Sequence, residues 1–177
     1  LTAWVSHGGE VDYIDVMERL AESLSTTLDK ETLTRLLTSD LVSAMRLSGS
    51  ALFVRDQDGR LSLLADSGLG LPGLVDRHFM PAGPLTAHLS AANRPVSDAD
   101  LRRALAGTDL TAAERAVLSL NGLAFWLPLV SGGAMQGLLV VGDRIGGDYL
   151  TAEDERILAT LSHQAGIAVH NVSLTDQ

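Results

Sequence analysis

Histidines, scattered carboxylates and one glycine-rich run are the residues of this chain whose types suit chemistry. His78 and His88 flank Phe79-Met80-Pro81, where an imidazole can ligate a metal or haem, or hydrogen-bond an acidic ligand. Sites need convergent groups, and no partner stands at metal-ligand spacing, so each reads as an exposed or locally bonded histidine. His163 and His170 lie seven apart, which on a helix gives one face but a separation of about 10 Å, too far for one metal. Ser162-His163-Gln164 runs on into Ala165-Gly166-Ile167, without the acidic and Arg-Thr-Pro continuation of a kinase phosphoacceptor. Asp98 and Asp100 resemble paired acid–base carboxylates, but Ser97 before them and helical periodicity after them make both helix-start residues. The same reading covers Glu153, Asp154 and Glu155, so no acid, base or nucleophile stands out and the segment reads as non-catalytic. Gly68-Leu69-Gly70-Leu71-Pro72-Gly73 matches G-x-G-x-x-G behind a strand, the pattern of a dinucleotide turn. No long helix or parallel strand follows, and Pro81 and Pro84 fall where they should be, so the run reads as a connection.

Composition narrows the partners. The chain has 177 residues with 22 acidic against 13 basic side chains, a formal charge of -9 that repels phosphate backbones and anionic lipid headgroups. Lys30 is the only lysine, and the arginines are scattered, with Arg102-Arg103 the one adjacent pair; we expect no nucleic-acid binding. Apolar runs such as 138–142 are far shorter than the roughly 20 residues of a membrane span, so we expect no membrane contact. The absence of cysteine removes disulfides, thiolate nucleophiles and thiolate metal sites, and fits a cytoplasmic location. A start at Leu1 without a signal sequence reads as a segment of a larger protein.

The elements that must position these residues follow from periodicity. After a polar lead over 1–10, the stripe Ile14, Met17, Ala21, Leu24, Leu28 predicts a helix over 11–28. Asp29 then caps a second helix over 30–47, which ends near Ser48-Gly49. Residues 50–55 and 61–65 flank Asp56-Gln57-Asp58-Gly59-Arg60, a hairpin signal. From 67 to 99 glycine and proline interrupt every period, apart from room for a short helix over 84–92, and so long an irregular stretch is usually functional. Ser97-x-x-Asp100 and Thr111-x-x-Glu114 predict two short helices within 99–119. Residues 123–130 and 135–141 form a second hairpin whose unbroken apolar runs mean burial on both faces. Thr151-x-x-Asp154 opens a final helix over 151–175, apolar beyond one narrow stripe and therefore with two neighbours. This order builds an α+β domain over 11–175: a central antiparallel sheet, helices on both faces, and the terminal helices packed together.

Leu127-Pro128-Leu129-Val130, Gly137-Leu138-Leu139-Val140-Val141-Gly142, Tyr149-Leu150-Thr151-Ala152-Glu153-Asp154 and the helix carrying Leu161, Gln164, Ala165, Ala168 and Asn171 resemble, in this order, the C-terminal half of GAF domains. The resemblance covers roughly 12–174 and is most like GAF domains of bacterial sensor histidine kinases. It implies a PAS/profilin-like fold, a small-molecule pocket roofed by residues 67–99, a homodimer through the terminal helices, and an output domain elsewhere in the parent chain. Bilin-binding members and the free methionine sulfoxide reductases of the family work through Cys, which is absent, so no covalent bilin is expected and the cofactor stays unknown. The Asn-Lys-x-Phe-Asp-Glu signature of the cyclic-nucleotide phosphodiesterase modules is also absent.

Within that frame, the expected pocket lining is His78, Phe79, Met80, His88, Arg94 and Trp126, a mix of apolar walls and a few polar groups. Phe125 and Trp126 are adjacent on one strand and must face opposite sides. The expected dimer and relay residues are Met17, Leu20, Leu24, Ile157, Leu161, Gln164 and Ala168. The alternative is a ligand-free dimerisation and relay module.

Overall fold

Two hairpins carry the sheet. Ser50–Arg55 (β1) and Leu61–Ser67 (β2) close around the Asp-Gly turn, where Asp56 N–H bonds the Arg60 carbonyl and Gly59 takes φ +78°. The Asp56 carboxylate accepts from the N–H groups of Asp58 at 2.9 Å and Arg60 at 3.0 Å, fixing the turn from inside. Leu123–Ser131 (β5) and Ala134–Gly142 (β6) form the second hairpin, and β6 pairs antiparallel with β1. Two-residue strands finish the edges, His78–Phe79 (β3) on β2 and Val96–Ser97 (β4) on β5, giving the order β3-β2-β1-β6-β5-β4. The computed structural model describes residues 2–71, 78–79 and 83–175, with side chains over 13–71, 79 and 83–174.

One face of the sheet is covered by the two long helices Thr2–Ser25 (α1) and Ala152–Thr175 (α7), with the shorter Lys30–Arg35 (α2) and Leu41–Met45 (α3) between them in sequence. Their shared core includes Leu24, Leu37, Leu41, Leu52, Leu127, Leu139, Leu158, Leu161 and Ala168. Each buried leucine contributes about 1.5–3 kcal/mol relative to exposure. Helix α7 lies directly on β5, and Gly166 is what lets it: a Cβ there would stand 2.4 Å from the Val130 carbonyl oxygen.

The other face carries short helices, Pro84–Ala92 (α4), Asp98–Leu105 (α5) and Ala112–Leu118 (α6). All three Ser/Thr-x-x-acid signals are real caps. Ser97 accepts from Asp100 N–H at 3.2 Å, Thr111 and Glu114 form a reciprocal box, and Thr151 exchanges the same pair of bonds with Asp154. Asp29 caps α2 through Thr32 N–H at 2.7 Å.

The α+β plan, the antiparallel sheet with helices on both faces and the packed terminal helices are all present, but several boundaries differ. Helix α1 runs from Thr2, so residues 2–10 are helix where a polar lead was expected. Gly8 and Gly9 cost roughly 1 kcal/mol each in a helix, which propagation along an established helix can carry. It stops at Ser25 because Thr26 and Thr27 turn back on Ser23 and Leu24, leaving Leu28 exposed beyond the apolar stripe. The second helical stretch is interrupted by a π-helical turn at Leu36–Asp40, with the Thr38 hydroxyl bonded to the Thr34 carbonyl. It ends on Arg46 in the left-handed conformation, ahead of the expected Ser48-Gly49. Gly49 serves packing instead, since a Cβ there would meet the Ser67 carbonyl oxygen at 2.2 Å. Residues 67–99 contain the short α4, as the sequence allowed, together with the edge strands β3 and β4.

Candidate functional site

The expected pocket wall splits on inspection. Phe79 is fully buried with its ring edge-on to Phe53 at 4.9 Å between centroids, and Trp126 is fully buried on β5, so both belong to the core between the sheet and the short helices. Phe125 packs on the terminal-helix side, confirming that the two aromatics face apart. The Trp126 indole N–H donates to Asp98 Oδ1 at 3.0 Å, while Asp98 Oδ2 pairs with Arg102 at 2.6 Å. Asp98 therefore starts α5 and ties it to the sheet, in place of any acid–base role. Nearby, Asp143 is held above the usual carboxylate range by burial and then by the charge of Asp98. His88 is half-buried on α4, and Arg94 is exposed with its guanidinium on the Pro95 carbonyl at 3.2 Å. The His78 side chain and Met80 lie outside the described residues. The structure thus joins Phe79 and Trp126 in one packed layer, with Arg94 exposed two residues before Val96, the strand partner of Trp126.

The residue that sequence reasoning missed here is Glu114. It is 2% exposed, and its Oε2 accepts from Leu85 N–H at 2.9 Å while Oε1 accepts from Thr111 N–H at 2.9 Å. One carboxylate thereby caps the starts of both α4 and α6, where free N–H groups favour negative charge. Its signal was the capping pattern, which reports the bond within α6 but not the one to a helix 29 residues away.

The glycine-rich run has its own occupant. Asp66 accepts from Leu69 N–H at 3.3 Å and Leu71 N–H at 3.4 Å, so a carboxylate sits where a phosphate would need the backbone donors. Dinucleotide binding loses its chemistry there. His163 is exposed and His170 half-buried, and among the described residues no group of three His, Cys, Asp or Glu could hold a metal.

The terminal helices form the second candidate region. Met17, Leu20, Leu24, Leu161 and Ala168, expected as contacts with a second copy, are buried in the chain's own core because the sheet and α3 claim that stripe first. Ile157 and Gln164 remain half-buried. Between α1 and α7 lies a groove of about 220 Å³ lined by Ile14, Ala21, Ile157 and Thr160, with Met17 and Leu161 at its base and Glu18 and Glu153 beside it. A polar node fixes the pair. Asp154 accepts from Tyr13 hydroxyl at 2.9 Å, Arg144 at 3.1 Å, and Thr151 N–H at 2.8 Å, while Arg144 Nε also bonds the Met45 carbonyl at 3.1 Å. Burial pushes the Asp154 carboxyl up, but the bonds from Thr151, Arg144 and Tyr13 outweigh it and hold the group below its ordinary value. Burial, then the bond and charge of Asp154, raise the Tyr13 hydroxyl. Nothing in the sequence pointed to Tyr13, whose partner is 141 residues away.

Over the described residues the chain is thus a six-stranded antiparallel sheet with a layer of short helices on one face and a pair of long terminal helices on the other. The sequence profile of the GAF domain matches residues 27–170, and the chain belongs to that family. Solved structures agree on the fold. The GAF domain of a phosphoenolpyruvate-protein phosphotransferase from Coxiella burnetii superposes with a TM-score of 0.68 at 16% identity, covering 94% of this chain and 97% of that one. A methyl-accepting chemotaxis protein, residues 122 to 287, gives 0.64 at 18% identity over 88% and 97%. The GAF domain of the potassium sensor histidine kinase KdpD from Escherichia coli gives 0.53 at 17% identity over 90% and 94%. No curated protein matches the sequence. GAF domains are usually non-catalytic regulatory and sensory modules of bacterial signalling proteins of various kinds. Among the described residues no helix is long and apolar enough to cross a membrane.

Proposed function

We propose that this chain is the non-catalytic sensory domain of a cytoplasmic bacterial signal-transduction protein, with a two-component sensor histidine kinase as parent. It works as a homodimer joined along α1 and α7. A small molecule enters under residues 67–99, favours one arrangement of that layer, and the terminal helices relay the shift to the output domain. Differential affinity for the two arrangements is the requirement. The observation that carries this reading is the apolar groove of Ile14, Ala21 and Ile157 between two 24-residue helices that are themselves locked to the sheet. Strand β5 supplies the route, because Trp126 faces the ligand-side layer while Leu127 and Phe125 pack with the helices.

The full burial of Phe79 and Trp126 favours a second reading, a ligand-free dimerisation and relay module. Native mass spectrometry of the purified chain, set against its denatured mass, separates the two. Added mass lost on denaturation supports the sensor, and a clean apo dimer supports the relay alone. Sedimentation of Ile157→Glu as a folded monomer beside a wild-type dimer supports the interface; a wild-type monomer defeats it.

A further inference from the structure

Glycine after asparagine usually marks a tight hairpin turn, but the one such pair in this chain, Asn121-Gly122, forms a bend between α6 and β5. Both residues are exposed, and Gly122 has φ +77° with nothing within 4 Å of the position a Cβ would take. Among the described residues, neither the Asn121 side chain nor the Gly122 N–H has a hydrogen-bond partner. The flanking carbonyls, by contrast, are both in use. Leu120 accepts from the Arg102 guanidinium of α5 at 2.8 Å, and Gly122 accepts from the Asp143 N–H, just past β6, at 2.8 Å. The bend therefore fastens α5 and the end of β6 through residues 120 and 122, while the link at Asn121 stays open to solvent. No other asparagine is placed this way. Asn93 precedes Arg94, and Asn171 precedes Val172 inside α7, where a β-branched side chain crowds the backbone. Asp58-Gly59 of the first hairpin is the related acid pair, but its Gly59 N–H is tied to the Asp56 carbonyl at 3.1 Å.

We propose that Asn121 is a site of spontaneous deamidation, at which the link to Gly122 rearranges to isoaspartate and α5 loosens from the sheet. The Gly122 amide nitrogen, after losing its proton to solvent base, attacks Cγ of Asn121. The N–Cγ bond forms, the bond from Cγ to the side-chain nitrogen breaks, and that nitrogen takes up a proton and leaves as ammonia. Water then opens the five-membered succinimide at either carbonyl, giving aspartate or, with the main chain rerouted through the side chain, isoaspartate. The sum is amide plus water to carboxylate plus ammonium, without oxidant or cofactor. Glycine suits the attack because no side chain obstructs ring closure, and an N–H without an acceptor has no hydrogen bond to give up first. The isoaspartyl form adds a negative charge and one methylene to the main chain between the carbonyls of residues 120 and 122. Those carbonyls then lose the spacing at which they hold Arg102 and Asp143 together. Arg102 also pairs with Asp98, the acceptor of the Trp126 indole, so the change reaches the layer of short helices. The site is independent of the sensor reading given above.

The test is to age the purified chain in mildly alkaline buffer, digest it with trypsin and map the peptides by mass and electron-transfer fragmentation, which separates aspartate from isoaspartate. Residues 116–144 form one tryptic peptide with Asn121 as its only asparagine. Asn121 is expected to convert at least about tenfold faster than Asn93 or Asn171, because only its successor lacks a side chain. Conversion in the native chain is expected within about threefold of that in denaturant, since an unprotected link needs no unfolding to react. Hydrogen exchange of the aged chain should be faster over 98–105 and unchanged over α7. Asn121→Gln, aged alike, should show neither conversion at position 121 nor faster exchange. Freshly purified Asn121→Asp, which adds the charge without the methylene, should exchange over 98–105 like the fresh parent chain; loosening there would assign the effect to charge and overturn the role of isoaspartate. An intact Asn121 peptide, equal rates at the three asparagines, strong protection by the fold, or unchanged exchange over 98–105 in fully converted protein would each overturn the proposal. Sedimentation of the same samples reads the dimer separately, so a failure here is distinct from a failure of the relay reading.

Discussion

The two faces of the sheet are held by different physics. The terminal-helix face is a broad apolar contact in which α7 approaches β5 closely over Gly166, with its main polar node, Tyr13, Asp154 and Arg144, at the margin. The opposite face is covered by three short helices, and isolated helices of this length are unstable on their own. They are stitched to one another and to the sheet by buried polar groups: Glu114 across two helix starts, and Asp98 from α5 to Trp126. One face therefore behaves as a rigid platform, and the other as an assembly whose parts can be released by losing single bonds. A sensory module needs that asymmetry, since the responsive elements are drawn from the less stable end of the molecule.

Trp126→Ala should break the comparison hardest, costing about 3–5 kcal/mol by denaturant unfolding, because it empties the centre of the stitched layer and strips α5 of its indole bond. Gly166→Val attacks the platform: any side chain there meets the Val130 backbone, and the cost should reach about 3 kcal/mol with the loss spread over the whole α7 contact. Glu114→Ala should cost about 2 kcal/mol, since the N–H groups of Leu85 and Thr111 lose their shared, nearly fully buried acceptor. Hydrogen exchange should then show α4 and α6 opening while α7 stays protected; equal protection on both faces would refute the distinction drawn between them.

Tyr13→Phe should be the mildest, about 1 kcal/mol, because the half-buried margin lets water replace the lost bond to Asp154. The pH dependence sharpens the point. Asp154 is held below its ordinary 3.8, so its contribution is present above that value and lost as pH falls through the lower folded one. Asp154→Asn should flatten this part of the acid limb of stability, and Tyr13→Phe should shrink it partway. An acid limb unchanged in both variants would mean that other carboxylates carry it.

Much of this was legible in the chain. Local patterns fixed both hairpins, the three Ser/Thr-x-x-acid caps, Asp29, the double burial of β5 and β6, and the opposition of Phe125 and Trp126, because each depends on neighbours a few residues away. The family followed from the same patterns. The roles of individual side chains were less legible. Met17, Leu24 and Leu161 have the periodicity of a helix face, and periodicity says that a face is buried without saying whether by the chain's own sheet or by a second copy. Gly49 and Gly166 looked like a helix stop and a helix interior, and only the approach of another backbone gives them their purpose.

What the sequence alone determined was therefore the α+β plan, its order of elements and the absence of thiol chemistry. The tertiary structure alone decided that Glu114 caps two helices, that Asp66 occupies the glycine-rich turn, and that Asp154 gathers Tyr13 and Arg144. The reason is range: propensity, capping and alternation act over a few residues, whereas a buried carboxylate takes whichever donors the folded chain brings to it, from 29 or 141 positions away.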